Sequence, residues 1–346
     1  MVGESLSDVT KAERTFLGMP PRVPRWLAWR RWAGRGALEL VASAMLAVEG
    51  LGRRSRLRLG RVEMTADVDY SGSNDADRRL DIFRARAVSG QLPVLLYVHG
   101  GGFWAGSKAS AWPIGAMLAR AGFLVFSATY RRAPQHRFPA ALADLAQAYA
   151  FAAAHAGELG GDLSRFVLAG ESAGANLVTG LALLACSERD EPFARTVFET
   201  GVVPRVVLAA SGVLEVTNAR RLGERFSLGW FLRDRYEELA DLYAPTDELG
   251  ALTDLLDPLV AFERGPRSVR PLPAFFLTVG EWDHLKDDAT RMHAACARAG
   301  VPSELRVYAR QLHAFHVHLA LASARRCWRD QLDFVARYGI LPCSRG

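Results

Sequence analysis

Phe166-Val167-Leu168-Ala169-Gly170-Glu171-Ser172-Ala173-Gly174-Ala175-Asn176-Leu177 reads as strand, sharp turn and helix, with Ser172 at the apex. An apolar run ends at Gly170, a polar pair follows, and an apolar helix pattern begins within two residues. Gly170 and Gly174 flank the serine in G-x-S-x-G spacing, and the spacing has a steric reason. A nucleophile on so tight a turn sits in strained backbone, and flanking side chains would strike the adjacent strand and helix. The turn lifts the hydroxyl clear of the sheet and aims a helix N-terminus at the point where negative charge develops. Taken alone, the pentapeptide also fits a tight crossover with an inert serine, so its surroundings decide.

Those surroundings alternate between strands and helices. Strands are expected at Val62–Tyr70, Arg79–Ala85, Leu92–His99, Gly122–Ala128, Val203–Ala210, Ala274–Val279 and Glu304–Tyr308. Helices are expected at Ala116–Ala121, Ala140–His155 and from about His316 to Tyr338. Strands separated by helical crossovers imply an α/β fold with a mostly parallel central sheet flanked by helices. The pattern breaks at about 212–265 into helical pieces rich in Arg, Asp and Leu, which reads as a helical cap inserted over the nucleophile turn. The division is a helical arm at 1–60, part of that cap, and a catalytic domain at 61–346.

Three more constellations bear on Ser172. His99-Gly100-Gly101-Gly102-Phe103-Trp104 ends the Leu92–His99 strand, and consecutive glycines let bare N–H groups converge on an oxyanion. The Lys-Ser/Thr ending of a phosphate-binding loop is missing, which argues against a nucleotide. Asp283 is the first aspartate after the Ala274–Val279 strand, where an acid orients a histidine. Asp287 and Asp288 fall in the first turn of the next helix and are read as acids that suit the helix dipole. His313 lies just past the last strand, where a general base must reach back to the nucleophile. His316 and His318 are assigned to the closing helix. No H-E-x-x-H pattern or cysteine set completes a metal site.

The chain has 346 residues, half of them hydrophobic, enough for a large core. Four scattered cysteines exclude a disulfide framework and fit a reducing compartment, and no leader or membrane-length apolar run is read, so a cytoplasmic location is expected. The net charge is +6, and residues 1–60 carry all of it, with eleven Lys and Arg against five Asp and Glu. Arg22, Arg25, Arg30, Arg31 and Arg35 interleave with Trp26, Trp29 and Trp32, and Ala37–Leu51 reads as an amphipathic helix. The preferred reading is a lid with solvated arginines. Peripheral contact with an anionic lipid surface is the second reading, and nucleic acid is set aside for want of a recognition motif.

With these residues assembled, the chain resembles the hormone-sensitive-lipase-like group of α/β-hydrolase esterases, the bacterial carboxylesterase type, over about residues 60–340. The resemblance is carried by His99-Gly100-Gly101-Gly102, the run Tyr130–Ala140, the Gly170–Leu177 turn, Asp283-His284-Leu285 and His313-Ala314-Phe315. Glu171 stands where that group usually has Asp, and Ala175 and Ala314 stand where it commonly has Gly. The resemblance implies ester hydrolysis through a Ser172, His313 and Asp283 triad, without a cofactor. The oxyanion would be received by the N–H groups of Gly101, Gly102 and Ala173, and Phe103, Trp104, Phe226, Trp230 and Phe231 would line the acyl pocket. A non-catalytic ligand-binding protein, and an amidase or acyltransferase with the same triad, are the competing readings. The sequence leaves natural substrate, acyl-chain length and homo-oligomer formation open.

Overall fold

Apolar runs such as Leu92–Val98 and Ala274–Gly280 can hide both faces only in a sheet covered on both sides, and every residue of both runs is buried. The computed structural model describes residues 31, 62–86, 90–225, 230–244 and 249–341, with backbone only at 223–225 and 230–232. The strands are β1 (Val62–Asp69), β2 (Arg79–Ala85), β3 (Leu92–Val98), β4 (Leu124–Ala128), β5 (Gly161–Glu171), β6 (Val206–Ala210), β7 (Ala274–Gly280) and β8 (Ser303–Tyr308). They form one sheet in the order β1-β2-β4-β3-β5-β6-β7-β8. β2 runs antiparallel to both neighbours, and all pairings from β4 across to β8 are parallel. The edge strands β1 and β8 are the most open to solvent.

The helices are α1 (Lys108–Arg120), α2 (Ala140–His155), α3 (Ala173–Cys186), α4 (Pro192–Phe198), α5 (Arg220–Arg225), α6 (Trp230–Tyr243), α7 (Thr253–Leu256), α8 (Pro258–Arg264), α9 (Lys286–Arg298) and α10 (Ala322–Arg337). Side chains of α2, α3 and α9 build the core on one face of the sheet, and those of α1 and α10 build it on the other. The chain leaves β3 toward β4 on one side, then returns to place β5 on the other. Such a reversal opens a crevice at the carboxyl ends of the two diverging strands, where ligands bind in open α/β sheets. Here it sets the glycine loop after β3 beside the serine turn after β5, with Val98 opposite Gly170 in register.

α1 begins eight residues before the expected Ala116, because Ser107 caps it. The Ser107 hydroxyl accepts from the Ala109 N–H at 3.2 Å, and the Ser110 side chain reciprocates. The closing helix begins at Ala322 rather than His316. Ala314 has a left-handed φ of 52°, which breaks the path before a single 3-10 turn at Phe315–Val317.

The insertion expected at 212–265 runs between β6 and β7 and comprises α5, α6, a 3-10 turn at Gly250–Leu252, α7 and α8. α6 lies over the glycine loop. The Tyr243 ring stacks on Phe103 with centroids 3.7 Å apart, and the Tyr243 carbonyl accepts from the Phe138 N–H at 3.0 Å. Arg137 donates to the carbonyls of Asp241 and Ala244, both at 2.9 Å. Most of the arm, including Ala37–Leu51, its tryptophans and its other arginines, lies outside the described residues. Arg31 is described, and it is not solvated. It is 2% exposed, paired with Asp234 at 2.9 Å and Asp241 at 2.7 Å on α6.

Asp288, expected to do no more than suit the dipole of its helix, anchors the start of the insertion. Fully buried, it accepts from the N–H groups of Leu214 (2.8 Å) and Glu215 (3.2 Å) and pairs with Arg221. Burial pushes its carboxyl up to about 6, with Arg221 and the two N–H groups pulling the other way. Asp288→Asn leaves the buried Arg221 with Glu215 as its remaining acid. Leaving a buried charge wholly unpaired costs about 3–5 kcal/mol, and with Glu215 retained the cost should fall below that range. The urea midpoint is expected to fall accordingly with the slope unchanged, and an unchanged midpoint would contradict this role.

Candidate active site

The turn after β5 has the strained geometry its spacing implies. Ser172 has φ 53° and ψ −116°, its N–H donates to the Ala210 carbonyl at 2.9 Å, and α3 starts at the next residue. Such a backbone persists in a non-glycine residue only where the surroundings enforce it. They do so by contact. A Cβ on Gly174 would stand 2.2 Å from the Val98 carbonyl oxygen, and one on Gly170 would meet the Gly174 backbone at 2.6 Å. Every residue of α3 is buried, so its N-terminus is held rigidly below the serine.

His313 and Asp283 come from the loops after β8 and β7. β8 is three strands from β5, roughly 14 Å at the usual strand spacing, so the histidine loop must fold back across the end of β7. Gly280 permits this, since a Cβ there would lie 2.3 Å from the Gln311 carbonyl oxygen. His313 Nε2 then stands 3.0 Å from Ser172 Oγ, and Nδ1 lies 3.0 and 3.1 Å from the two Asp283 oxygens. A carboxylate only accepts, so the Nδ1–H donates to Asp283 and Nε2 is left to accept from the serine hydroxyl. Desolvation by the groups around the His313 ring opposes its protonation, but the Asp283 charge outweighs this and the imidazole pKa is raised. Burial would raise Asp283 in turn, yet the His313 charge and hydrogen bond hold its carboxyl below the ordinary range.

The glycine loop faces the serine with free donors. The N–H groups of Gly101, Gly102 and Ala173 enter no loop, cap or side-chain hydrogen bond among the described residues. The loop is braced from behind. Its Phe103 carbonyl accepts from the Ala133 N–H at 2.9 Å, and Arg132 donates to the Gly106 carbonyl at 3.1 Å. His99 stacks on Tyr130 at 4.5 Å, and its Nδ1–H donates to the Gly100 carbonyl at 2.7 Å. Burial holds the His99 ring neutral, with its pKa down to about 4.

Glu171, noted in the sequence only as standing where the group usually has Asp, belongs to the site. Buried beside Ser172, it accepts from the Gly100 N–H at 2.8 Å and from the Tyr97 hydroxyl. It therefore ties the glycine loop to the serine turn. Burial lifts its carboxyl to about 7, and its negative charge raises the His313 pKa. Glu171→Gln keeps a carbonyl for the Gly100 N–H but removes the charge that Glu171 gains as it ionises around pH 7, so His313 should lose its proton more readily. The acid limb of kcat/KM is expected to move to lower pH, while an unmoved limb would show that Glu171 does not act on the base.

Ser211, not singled out in the sequence, sits under Asp283 and His313. Its hydroxyl hydrogen-bonds the Asp283 carboxylate and accepts from the Ala314 N–H at 3.4 Å. Of the aromatic residues expected around an acyl pocket, Phe103 is fully buried and given over to stacking on Tyr243. Trp104 packs over Gly102, close to Leu239 of α6. Phe226 and the side chains of Trp230 and Phe231 lie outside the described residues. His316 is not a residue of the closing helix: it occupies the 3-10 turn, buried, with a pKa pushed down to about 3. His318 follows that turn, and among the described residues no three His, Cys, Asp or Glu side chains are grouped to hold a metal.

Known proteins resemble the chain in sequence and fold. Residues 95–317 match the model of a family described as having an alpha/beta hydrolase fold. The chain is 31% identical over 257 residues to carboxylesterase NlhH of Mycobacterium tuberculosis, covering 73% of this chain and 75% of that protein. It is 30% identical over 227 residues to an ethyl acetate hydrolase of Pseudomonas putida, covering 64% and 65% of the two chains. Among solved structures, a bacterial heroin esterase superposes with a TM-score of 0.67 at 25% identity, over 88% of this chain and 90% of that one.

Proposed function

The chain belongs to the hormone-sensitive-lipase-like group of the α/β-hydrolase family and is a carboxylic ester hydrolase, and from that premise we propose that Ser172 is its nucleophile, His313 its general base and Asp283 the acid that orients the base. The observation that carries this is the unbroken Ser172–His313–Asp283 hydrogen-bond chain. Ser172 Oγ attacks the ester carbonyl carbon as its proton passes to His313 Nε2. The carbonyl oxygen becomes an oxyanion received by the N–H groups of Gly101, Gly102 and Ala173, aided by the α3 dipole. The C–O bond to the alcohol breaks, and the alkoxide leaves with the proton from His313. Water, deprotonated by the same nitrogen, then attacks the acyl-enzyme, and the acid departs as Ser172 regains its proton.

His313 must be neutral to take the serine proton. Asp283 raises its pKa, so activity is expected to rise with pH through a limb above the ordinary histidine value of about 6.5. A kcat/KM profile flat from pH 5 to 8 would remove His313 from this role. Short- to medium-chain esters are the proposed substrates. A nitrophenyl ester chain-length series beside matched amides and alcohol acceptors tests this, and amides turned over faster than esters would overturn it. The arm is proposed as part of the cap, supported by the burial of Arg31 against α6. A reducing, cytoplasmic location is proposed from the buried free thiols of Cys186, Cys296 and Cys327. No helix among the described residues is long and apolar enough to cross a membrane.

A further inference from the structure

On the face of the sheet covered by α1 and α10, away from the serine turn, the two helices leave a groove of about 400 Å³ between them. Its apolar wall comes from Trp112 and Met117 of α1, Leu319, and Trp328 and Leu332 of α10. Arg120, Arg325 and Arg329 also line it. An apolar trough with guanidinium groups at its rim complements a ligand with a hydrocarbon chain and one anionic head, and the volume lies within the usual range for small-molecule sites.

The groove touches the segment that carries His313. Trp328 Nε1–H donates to the His316 carbonyl at 3.0 Å, and Arg325 donates to the carbonyls of Leu319 (3.2 Å) and Ala320 (2.5 Å). The stretch from His313 to Ala320 is thus held against α10 by two side chains that also line the groove. An anionic head that draws the Arg325 guanidinium to itself takes it from those two carbonyls and loosens the support of the base.

We propose that this groove binds a straight-chain alkanoate, the class of anion that ester hydrolysis releases, and that occupancy slows turnover through the His313 segment. The choice of a carboxylate product as the ligand rests on the esterase reading above, whereas the groove and its charge do not. The acid would act as a feedback inhibitor at a distance from the site where it forms.

The test uses full-length protein, sodium decanoate below its micelle concentration, and the variant Arg329→Glu. Arg329 is exposed and lies outside the proposed catalytic machinery, so turnover of nitrophenyl acetate should be unchanged by the substitution alone. Decanoate is expected to lower kcat for nitrophenyl acetate in the wild type, in addition to any competitive effect on KM. Butyrate, too short to fill the trough, should leave kcat alone. In Arg329→Glu the kcat effect should vanish, and calorimetry should show decanoate binding weakened tenfold or more. Purely competitive inhibition, inhibition equal in wild type and variant, or absence of binding overturns the proposal and leaves the esterase reading intact. Decanoate bound through Arg329 by a protein that turns over no ester would overturn the esterase reading instead.

Discussion

Ser172→Ala is expected to lower kcat for a nitrophenyl ester by roughly 10⁶, the loss seen when the nucleophile of a comparable serine hydrolase is removed. The size follows from the position of the hydroxyl. It is the single oxygen presented at the turn between β5 and α3, and it meets His313 Nε2 at 3.0 Å. No other side chain of the site offers an activated nucleophile along that line. The fold should be unaffected, because the hydroxyl is only partly buried and its loss opens little cavity. The variant should therefore unfold at the wild-type urea midpoint while a small residual rate, supplied by the oxyanion donors, remains. Turnover near the wild-type level would remove Ser172 from the mechanism.

Asp283→Asn should cost about 10⁴-fold in kcat, as the same change does in a serine protease triad. The asparagine can present its NH₂ to His313 Nδ1, which then accepts and carries the proton on Nε2 instead. A ring in that tautomer cannot accept the serine proton. Asp287→Asn is the control, since Asp287 lies four residues further on, in the first turn of α9, within 3.9 Å of Arg291. Its effect on kcat should be within a few-fold. The opposite ranking of the two variants would show that the wrong carboxylate has been assigned to the base.

What was legible in the sequence shares one physical property. The serine turn, the glycine loop and Asp283 each follow a buried apolar run and His313 follows the last strand, and each needs a distinctive local composition. What escaped was contact between groups far apart in the chain. Glu171 reads as a polar neighbour of the serine until Tyr97 and the Gly100 N–H are seen to converge on its carboxyl. Asp288 in the first turn of a helix looks like any acid suiting the dipole, and nothing local announces that Arg221 and two backbone N–H groups close on it. Arg31 belonged to a basic run that read as solvated, yet the acids of α6 bury it. Element ends failed for a related reason. Pro113 inside α1 hides the helix that Ser107 caps, and the left-handed Ala314 separates the histidine-rich stretch from α10.

Ala314 also shows where this chain departs from the glycine usual in the group. A left-handed backbone costs a non-glycine residue roughly 1–2 kcal/mol, and here the cost falls on the residue next to His313. The constraint is borne by the packing beneath it: Phe315 buried, Ser211 accepting from the Ala314 N–H, and Trp328 donating to the His316 carbonyl. His313 is therefore positioned by the α10 face of the molecule as well as by Asp283. The groove on that face can influence catalysis because it shares these side chains.

The central claim is that Ser172 carries the acyl group. The most direct measurement is the mass of the protein after reaction with a nitrophenyl alkylphosphonate, followed by peptide mapping of the label. One phosphonyl group per chain is expected, on Ser172, with ester turnover lost in proportion to labelling and no label in Ser172→Ala. A label on another residue, or full ester turnover in fully labelled protein, would contradict the account.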